Sequence, residues 1–179
     1  GASDCLIFAN LRGLDRPRDI LVKDRYTRLW AYTDDGKLLW QFDGNQPCGT
    51  GHRPRPVDVD GDGKDELIIS FAMLGSDGRL RWSLKTDQVN LAQGHLDSCG
   101  VVKTGKRPED FLFAITGCKC RSVQMFDGAG NYRWIVAKAQ VPRHFEAIDV
   151  GPMRKDIPGN QIAVDLDADP ATKKCPFWI

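Results

Sequence analysis

Short apolar runs, each entered from a polar loop, recur along this chain. They are Asp19-Ile20-Leu21-Val22, Glu66-Leu67-Ile68-Ile69, Asp110-Phe111-Leu112-Phe113 and Gln161-Ile162-Ala163-Val164. A second element recurs out of phase with the first, a tight Asp-Gly turn followed by a short strand ending on tryptophan. It occurs as Asp35-Gly36-Lys37-Leu38-Leu39-Trp40, as Asp77-Gly78-Arg79-Leu80-Arg81-Trp82 and as Asp127-Gly128-Ala129-Gly130-Asn131-Tyr132-Arg133-Trp134. The tryptophans lie 42 and 52 positions apart. Asp-Gly between apolar runs signals a hairpin, because its turn needs positive φ. No stretch sustains a helical period.

Two further strands fit between these elements in each unit. The first unit predicts strands over Cys5–Leu11, Ile20–Lys23, Leu29–Thr33 and Leu38–Phe42. The second predicts Pro56–Val59, Glu66–Ala72, Met73–Ser76 and Leu80–Leu84, and the third Cys99–Lys103, Phe111–Thr116, Ser122–Phe126 and Tyr132–Ala137. The fourth begins at Phe145–Val150, continues at Gln161–Asp165 and lacks an outer strand. Four short strands per repeat predict an all-β chain built from β-propeller blades. A β-sandwich is the alternative, but it would not return the same Asp-Gly…Trp turn at regular spacing. The expectation is one partial propeller domain over 1–179, with blades at about 5–43, 54–85, 97–137 and 145–179. These make three and a half four-stranded blades, an open arc of a larger ring.

Composition narrows the picture without redirecting it. Of 179 residues, 41% are hydrophobic and 27% charged, as in ordinary globular proteins. The net charge of +1 gives no reason to expect nucleic acid or an anionic membrane surface as partner. No apolar run approaches the ~20 residues of a membrane helix. The start, Gly1-Ala2-Ser3-Asp4, has neither initiator Met nor signal peptide, as in a processed chain or a piece of something longer. Six cysteines, Cys5, Cys48, Cys99, Cys118, Cys120 and Cys175, are too sparse for a small disulfide scaffold. Cys118-Lys119-Cys120 is too tightly spaced for a usual zinc pair. The even count leans towards an oxidising space outside the cytosol, with the pairing left open.

The densest chemistry is Asp58-Val59-Asp60-Gly61-Asp62-Gly63-Lys64-Asp65-Glu66, followed at once by an apolar run. Acidic side chains at loop positions 1, 3, 5 and 9 converge on one point, and a carbonyl at position 7 can add a ligand. That suits a hard cation, and the ligand set is Asp58, Asp60, Asp62, the Lys64 carbonyl and Glu66 for Ca2+. The plainer alternative is a solvated acidic turn between two strands. An EF-hand is disfavoured, because Ile69 stands where its twelfth-position Glu belongs and a strand follows.

All three histidines, His52, His95 and His144, occupy one repeat position, between a Trp strand and the next inner strand. In a propeller that connection returns to the axis, so the imidazoles would line one arc of the channel mouth. Two have basic neighbours, Arg53 and Arg143. The structural alternative is a residue reused to bond the neighbouring blade. The functional one is a polar ring for an acidic ligand, with His52, His95 and His144 as candidate bases and Arg53 and Arg143 as substrate contacts. One zinc held by all three is disfavoured, because adjacent blades hold the rings too far apart for ~2 Å bonds. Trp40, Trp82 and Trp134 are expected to pack between blades. Trp30, Tyr26 and Tyr32 are less regular and candidates for stacking on a sugar. Lys23-Asp24-Arg25-Tyr26 is expected to be a solvated turn.

Several of these stretches together resemble a known family. Asp19 to Tyr26, Leu29 to Asp35, Leu38-Leu39-Trp40 and Thr50-Gly51-His52 with the acidic loop are similar to the repeat of the rhamnogalacturonan lyase propellers of polysaccharide lyase family 11 and their uncharacterised relatives. The acidic loop alone resembles the FG-GAP calcium loop of integrin-type propellers, with Glu66 where Asp is usual. The resemblance implies an eight-bladed, calcium-binding, secreted propeller whose lyase members cleave acidic pectic backbones by β-elimination. This chain would be about half such a ring. Position by position, only the calcium ligands carry over. The expected partner is therefore an acidic polysaccharide or other glycan, with further blades or subunits completing the ring. Enzyme activity is left open against a non-catalytic extracellular propeller that binds glycan or protein, or serves assembly.

Overall fold

The computed structural model describes residues 5–44, 49–84, 96–117, 122–136, 147–165, 171–173 and 177–178. They form four antiparallel sheets and no α-helix. The first sheet joins β1 (Cys5–Ala9), β2 (Asp19–Lys23), β3 (Arg28–Tyr32) and β4 (Leu38–Asp43) in chain order. The second joins β5 (Arg55–Val57), β6 (Glu66–Ile68), β7 (Ala72–Leu74) and β8 (Leu80–Ser83). The third joins β9 (Leu96–Lys103), β10 (Phe111–Gly117), β11 (Ser122–Asp127) and β12 (Tyr132–Val136). The fourth holds β13 (Ile148–Gly151), β14 (Gln161–Asp165) and β15 (Phe177–Trp178), three strands among the described residues where the others have four.

Period-two burial explains each sheet. In β2, Asp19, Leu21 and Lys23 point to one buried side while Ile20 and Val22 lie half-buried on the other. Leu21, Leu29 and Ala31 pack with Leu67, Ile69 and Leu74 of the second sheet. Ile68, Phe71 and Met73 pack with Leu96, Phe111, Phe113 and Phe126 of the third. Ala114, Val123 and Met125 pack with Ile148 and Val164 of the fourth. The hydrophobic core is therefore three slabs between successive sheets, as in a propeller. The first strands β1, β5, β9 and β13 all contribute to one cavity of about 330 Å³, through Ile7, Arg55, Cys99 and Val150 among others.

The tryptophans pin neighbouring sheets together. Trp82 donates its indole N–H to Gly128 O at 3.0 Å and stands edge-on to Phe126. Gly78 and Gly130, at φ 77° and 84°, have indole faces where a β-carbon would be, those of Trp40 and Trp82 respectively. This corrects the alignment of the third turn. Its positive-φ glycine is Gly130 rather than Gly128, which restores the four-residue offset to tryptophan seen in Gly36–Trp40 and Gly78–Trp82. Trp134 departs from the expected packing and remains 40% exposed.

The predicted strand Glu66–Ala72 is also corrected. It breaks after Ile68 because Ile69 N–H bonds Ala72 O at 3.0 Å, closing a tight turn. Buried Ser70 takes φ 149° there, and its hydroxyl accepts the N–H of Leu96 at 3.3 Å.

Candidate functional site

Two sets of chemical groups lie at opposite ends of β5. The acidic loop follows its last residue, and His52-Arg53 precedes its first.

The loop is built by its own carboxylates. Asp58 accepts N–H groups from Gly61 at 2.7 Å and Gly63 at 3.1 Å. Asp62 accepts that of Lys64 at 2.8 Å. Gly61 and Gly63 take φ 78° and 84°, the conformation these tight turns require. A second anchor comes from the first sheet: Asn10 N–H bonds Asp65 at 2.7 Å, and the Asn10 side-chain amide bonds Gly63 O at 3.0 Å. Within this frame Asp58, Asp60 and Glu66 each bring a carboxylate oxygen to within 4.8 Å of the others. Asp62 and the Lys64 carbonyl, also expected as ligands, are not part of that trio.

Glu66 is the unusual member, only 1% exposed. One oxygen accepts the Val59 N–H at 3.1 Å. The other, Oε1, has no hydrogen-bond partner among the described residues and makes a longer ionic contact, 3.6 Å, with the Arg81 guanidinium. Burial outweighs the Val59 bond and pushes this carboxyl up to about 7.

The same position in the other sheets shows what the orphan oxygen lacks. In the first sheet buried Asp19 accepts Leu11 N–H at 2.8 Å, as Glu66 does from Val59, and its other oxygen holds the Arg12 guanidinium at 2.6 Å. In the third, Asp110 holds Arg107 at 3.2 Å. In the fourth the residue is neutral Gln161, which accepts Arg154 N–H and donates to Ile157 O and Gly159 O. Where a carboxylate opens the second strand, a guanidinium completes it twice. In the second sheet Asp60 stands where that arginine would be, so Asp58, Asp60 and Glu66 face one another and Glu66 keeps only the longer contact to Arg81. These groups fit a hard divalent ion bound through oxygen.

At the other end of β5 a polar cleft of about 480 Å³ is lined by Arg25, His52, Arg53, Asp97, Ser98, Ala147 and Asp165. Residues of all four repeats thus meet there, and none belongs to the acidic loop. Gly51 takes φ 61°, and a β-carbon there would lie 2.8 Å from Leu96 O. This close approach lets His52 N–H bond Leu96 O at 2.7 Å. The imidazole meets Tyr26 edge-on, with ring centroids 5.5 Å apart, and its Nε2 lies 3.7 Å from the buried Asp97 carboxylate.

Arg25 and Tyr26 reach this region on the β2–β3 turn. The turn is solvated as expected at Arg25 and Tyr26, and only Lys23 departs from that by being buried. Lys23 is 1% exposed and donates its ammonium to Arg25 O at 2.8 Å. Asp24 accepts N–H groups from Thr27 and Arg28, each at 2.8 Å.

Of the expected site residues, His95, His144 and Arg143 lie outside the described residues. The sequence alone gives Asp97 no role and places Arg25 only in a solvated turn. The available signal for Asp97 is its place two residues after His95, the offset at which Glu146 follows His144. Cys99 is a free thiol, and burial pushes it up to about 12.

No family model matches the chain. It resembles rhamnogalacturonan lyases in both sequence and structure. Rhamnogalacturonan exolyase YesX of Bacillus subtilis (strain 168) is 41% identical over 75 residues, covering 36% of this chain and 12% of that protein. Among solved structures, rhamnogalacturonan lyase YesW superposes over 89% of the chain with a TM-score of 0.66 and 24% identity. The Bacillus licheniformis rhamnogalacturonan lyase PL11 superposes over 97% with 0.58 and 25% identity. The chain spans 28% of each of these two lyases. The WD40 domain of Neurospora crassa Pan2, at 14% identity, superposes over 99% with a TM-score of 0.62, a likeness of fold.

Proposed function

We propose that this chain is a calcium-binding propeller segment, related to the rhamnogalacturonan lyases, that takes an acidic polysaccharide at its axial cleft. The observation that carries the calcium reading is the orphan oxygen of Glu66, at a position where Asp19 and Asp110 hold guanidinium groups. Asp58, Asp60 and Glu66 would hold the ion, with Asp62 and the Lys64 carbonyl available as in FG-GAP-type loops. Calcium, when bound, supplies charge neutralisation and cross-links the loop. Because no loop residue lines the cleft, its role there is structural. A few carboxylates around a partly exposed loop suit the weaker affinities of extracellular modules, consistent with a secreted protein.

In the cleft, Arg25 and Arg53 are suited to a uronate carboxylate, and neutral His52 to proton abstraction next to it. His52 would take the proton from the ring carbon bearing the carboxylate. That C–H electron pair becomes the ring double bond as the adjacent carbon–oxygen bond breaks, and the departing oxygen takes a proton from imidazolium or water. His95, His144 and Arg143 are proposed for the same arc by repeat position alone.

A non-catalytic glycan- or protein-binding role has one observation in its favour. Asp97 and Asp165 offset the two arginines, so the cleft does not concentrate polyanions by net charge.

Further blades are part of this reading. Leu6 and Phe8, 59% and 60% exposed, share a face of the first sheet with Ile20, Val22, Trp30 and Tyr32. The opposite face of that sheet packs on the second sheet, so another sheet of the same repeat is the natural cover.

The test incubates the protein with rhamnogalacturonan, in calcium and then in chelator, and follows the ultraviolet absorbance of an unsaturated product. Calcium-stabilised protein with rising absorbance supports the lyase reading. Saturable binding without absorbance supports the second reading. Failure of calcium to raise the melting temperature overturns the cation site.

A further inference from the structure

The tryptophan strands share a second repeat position, the residue before the indole. It is Leu39 in the first sheet, Arg81 in the second and Arg133 in the third. The turns before these strands have matching positions too. Thr33, Gly75 and Asp127 each accept, at the backbone carbonyl, the N–H of the positive-φ glycine three residues on. In the third sheet the two positions pair, with Arg133 holding buried Asp127 at 2.8 Å. In the second sheet glycine stands where that acid would be, and Arg81 crosses it. A β-carbon at Gly75 would lie 2.5 Å from Arg81 Nε. Gly75 takes no left-handed φ, so the passage of the guanidinium, rather than the backbone, calls for glycine here.

Beyond Gly75 the guanidinium comes to 3.6 Å from Glu66 Oε1, the buried oxygen without a hydrogen bond. At that distance the attraction is between charges and needs no shared hydrogen. Arg12 and Arg107 sit closer on their acids, at 2.6 Å and 3.2 Å. Glu66 also belongs to the carboxylate trio with Asp58 and Asp60. Arg81 and a bound ion would therefore draw on the same carboxylate, and two cations there repel each other. Arg81 has room to withdraw. Its side chain is 49% exposed, against 2% for that of Glu66. With Asp60 and Glu66 it lines a cleft of about 210 Å³, which Glu109 of the β9–β10 connection also lines.

We propose that Arg81 is an internal competitor for the cation site: its guanidinium neutralises Glu66 in the ion-free protein and gives way when a divalent ion binds. This rests on the calcium reading given above and adds to it what sets the affinity. Whatever the Arg81–Glu66 contact contributes to the ion-free fold opposes ion binding by the same amount.

The test titrates calcium into the full chain, first stripped of metal with chelator, and reads Kd by calorimetry for wild type and Arg81→Gln. The variant is expected to bind about fivefold tighter or more. Equal or weaker binding by the variant overturns the proposal while leaving the cation site in place. Arg81→Lys keeps the charge and is expected to bind calcium more weakly than Arg81→Gln. Equal affinity in those two variants overturns the electrostatic cause. Gly75→Ala puts a methyl in the guanidinium's path and should also tighten binding, and an affinity at or below wild type overturns the passage over Gly75. Thermal melts give a readout apart from affinity. In chelator Arg81→Gln should melt below wild type, and in saturating calcium the gap should close. A gap of the same size in both conditions overturns the competition. If wild-type protein binds no calcium, the cation reading itself falls, and this inference with it.

Discussion

Trp40 donates its indole N–H to the carbonyl of Ser76 at 2.9 Å, joining the outer strand of the first sheet to a turn of the second. Trp82 and Gly128 repeat the bond 42 residues further on, between the second and third sheets. The Asp-Gly turn and the tryptophan of this repeat thus act on each other across sheets, with glycine allowing the indole to lie against the backbone.

That contact predicts unequal effects at two glycines with nearly the same φ. A β-carbon at Gly78 would lie 2.5 Å from Trp40 Cδ2, whereas at Gly36 it would meet nothing within 4 Å. Gly36→Ala is expected to cost about 1–2 kcal/mol from its left-handed backbone alone. Gly78→Ala adds overlap with the indole and is expected to cost about 2–4 kcal/mol. Urea unfolding of the two variants makes the comparison, and equal losses would refute the indole contact as the cause.

The arginines on the second-strand carboxylates are also expected to differ. Asp19 is fully buried, so Arg12→Ala leaves a buried carboxylate short of its cation and should lower the denaturation midpoint clearly. Arg107→Ala removes a pair between partly exposed groups and should shift the midpoint much less than Arg12→Ala does. Chemical denaturation of both variants at neutral pH decides this.

Glu66→Gln separates burial from cation binding. In chelator the variant is expected to be at least as stable as wild type, because the buried carboxylate with an unbonded oxygen is gone. In calcium the wild type should gain about 2.7 kcal/mol at a hundredfold excess over Kd, and the variant little of it. Thermal melts in both conditions provide the readout, and an identical calcium response in the two proteins would place the ion elsewhere.

Asp24 predicts a pH dependence of the cleft wall. Burial opposes its ionisation, but the Thr27 hydroxyl and the N–H groups of Arg28, Thr27 and Tyr26 override it and hold the carboxyl down at about 2. A carboxyl lower in the folded than in the unfolded chain stabilises the fold fully above the unfolded value of about 4. That contribution is lost as pH falls towards 2. Asp24→Asn is expected to lose about 1–2 kcal/mol at neutral pH, and the gap from wild type should close between about pH 4 and 2. Urea midpoints across that range test it, a constant gap being the contrary result.

The repeat itself is legible in the sequence because its signals are local. Asp-Gly turns need positive φ, apolar runs such as Leu67-Ile68 need a dry face, and both recur at fixed spacing. They are enough to predict four antiparallel sheets, their boundaries within a few residues, and an acidic loop whose carboxylates gather. The third turn is ambiguous because Asp127-Gly128 and Gly130 offer two glycines. Only the backbone shows that Gly130 carries the positive φ. The predicted strand through Ile69 is too long because an apolar run gives no sign of where it bends.

What passes between sheets is decided only by the tertiary structure. The sequence puts Asp58, Asp60 and Glu66 in one loop, but Glu66 Oε1 is seen to be unsatisfied only once Asp19 with Arg12 and Asp110 with Arg107 are placed at the same point of their own sheets. Likewise His52 and Asp97 stand 45 residues apart, and no local pattern couples them. The physical reason is that backbone propensity and hydrophobic period act over a few residues. The partner of a buried charge is set by which chain segments the packed sheets bring within a few ångströms.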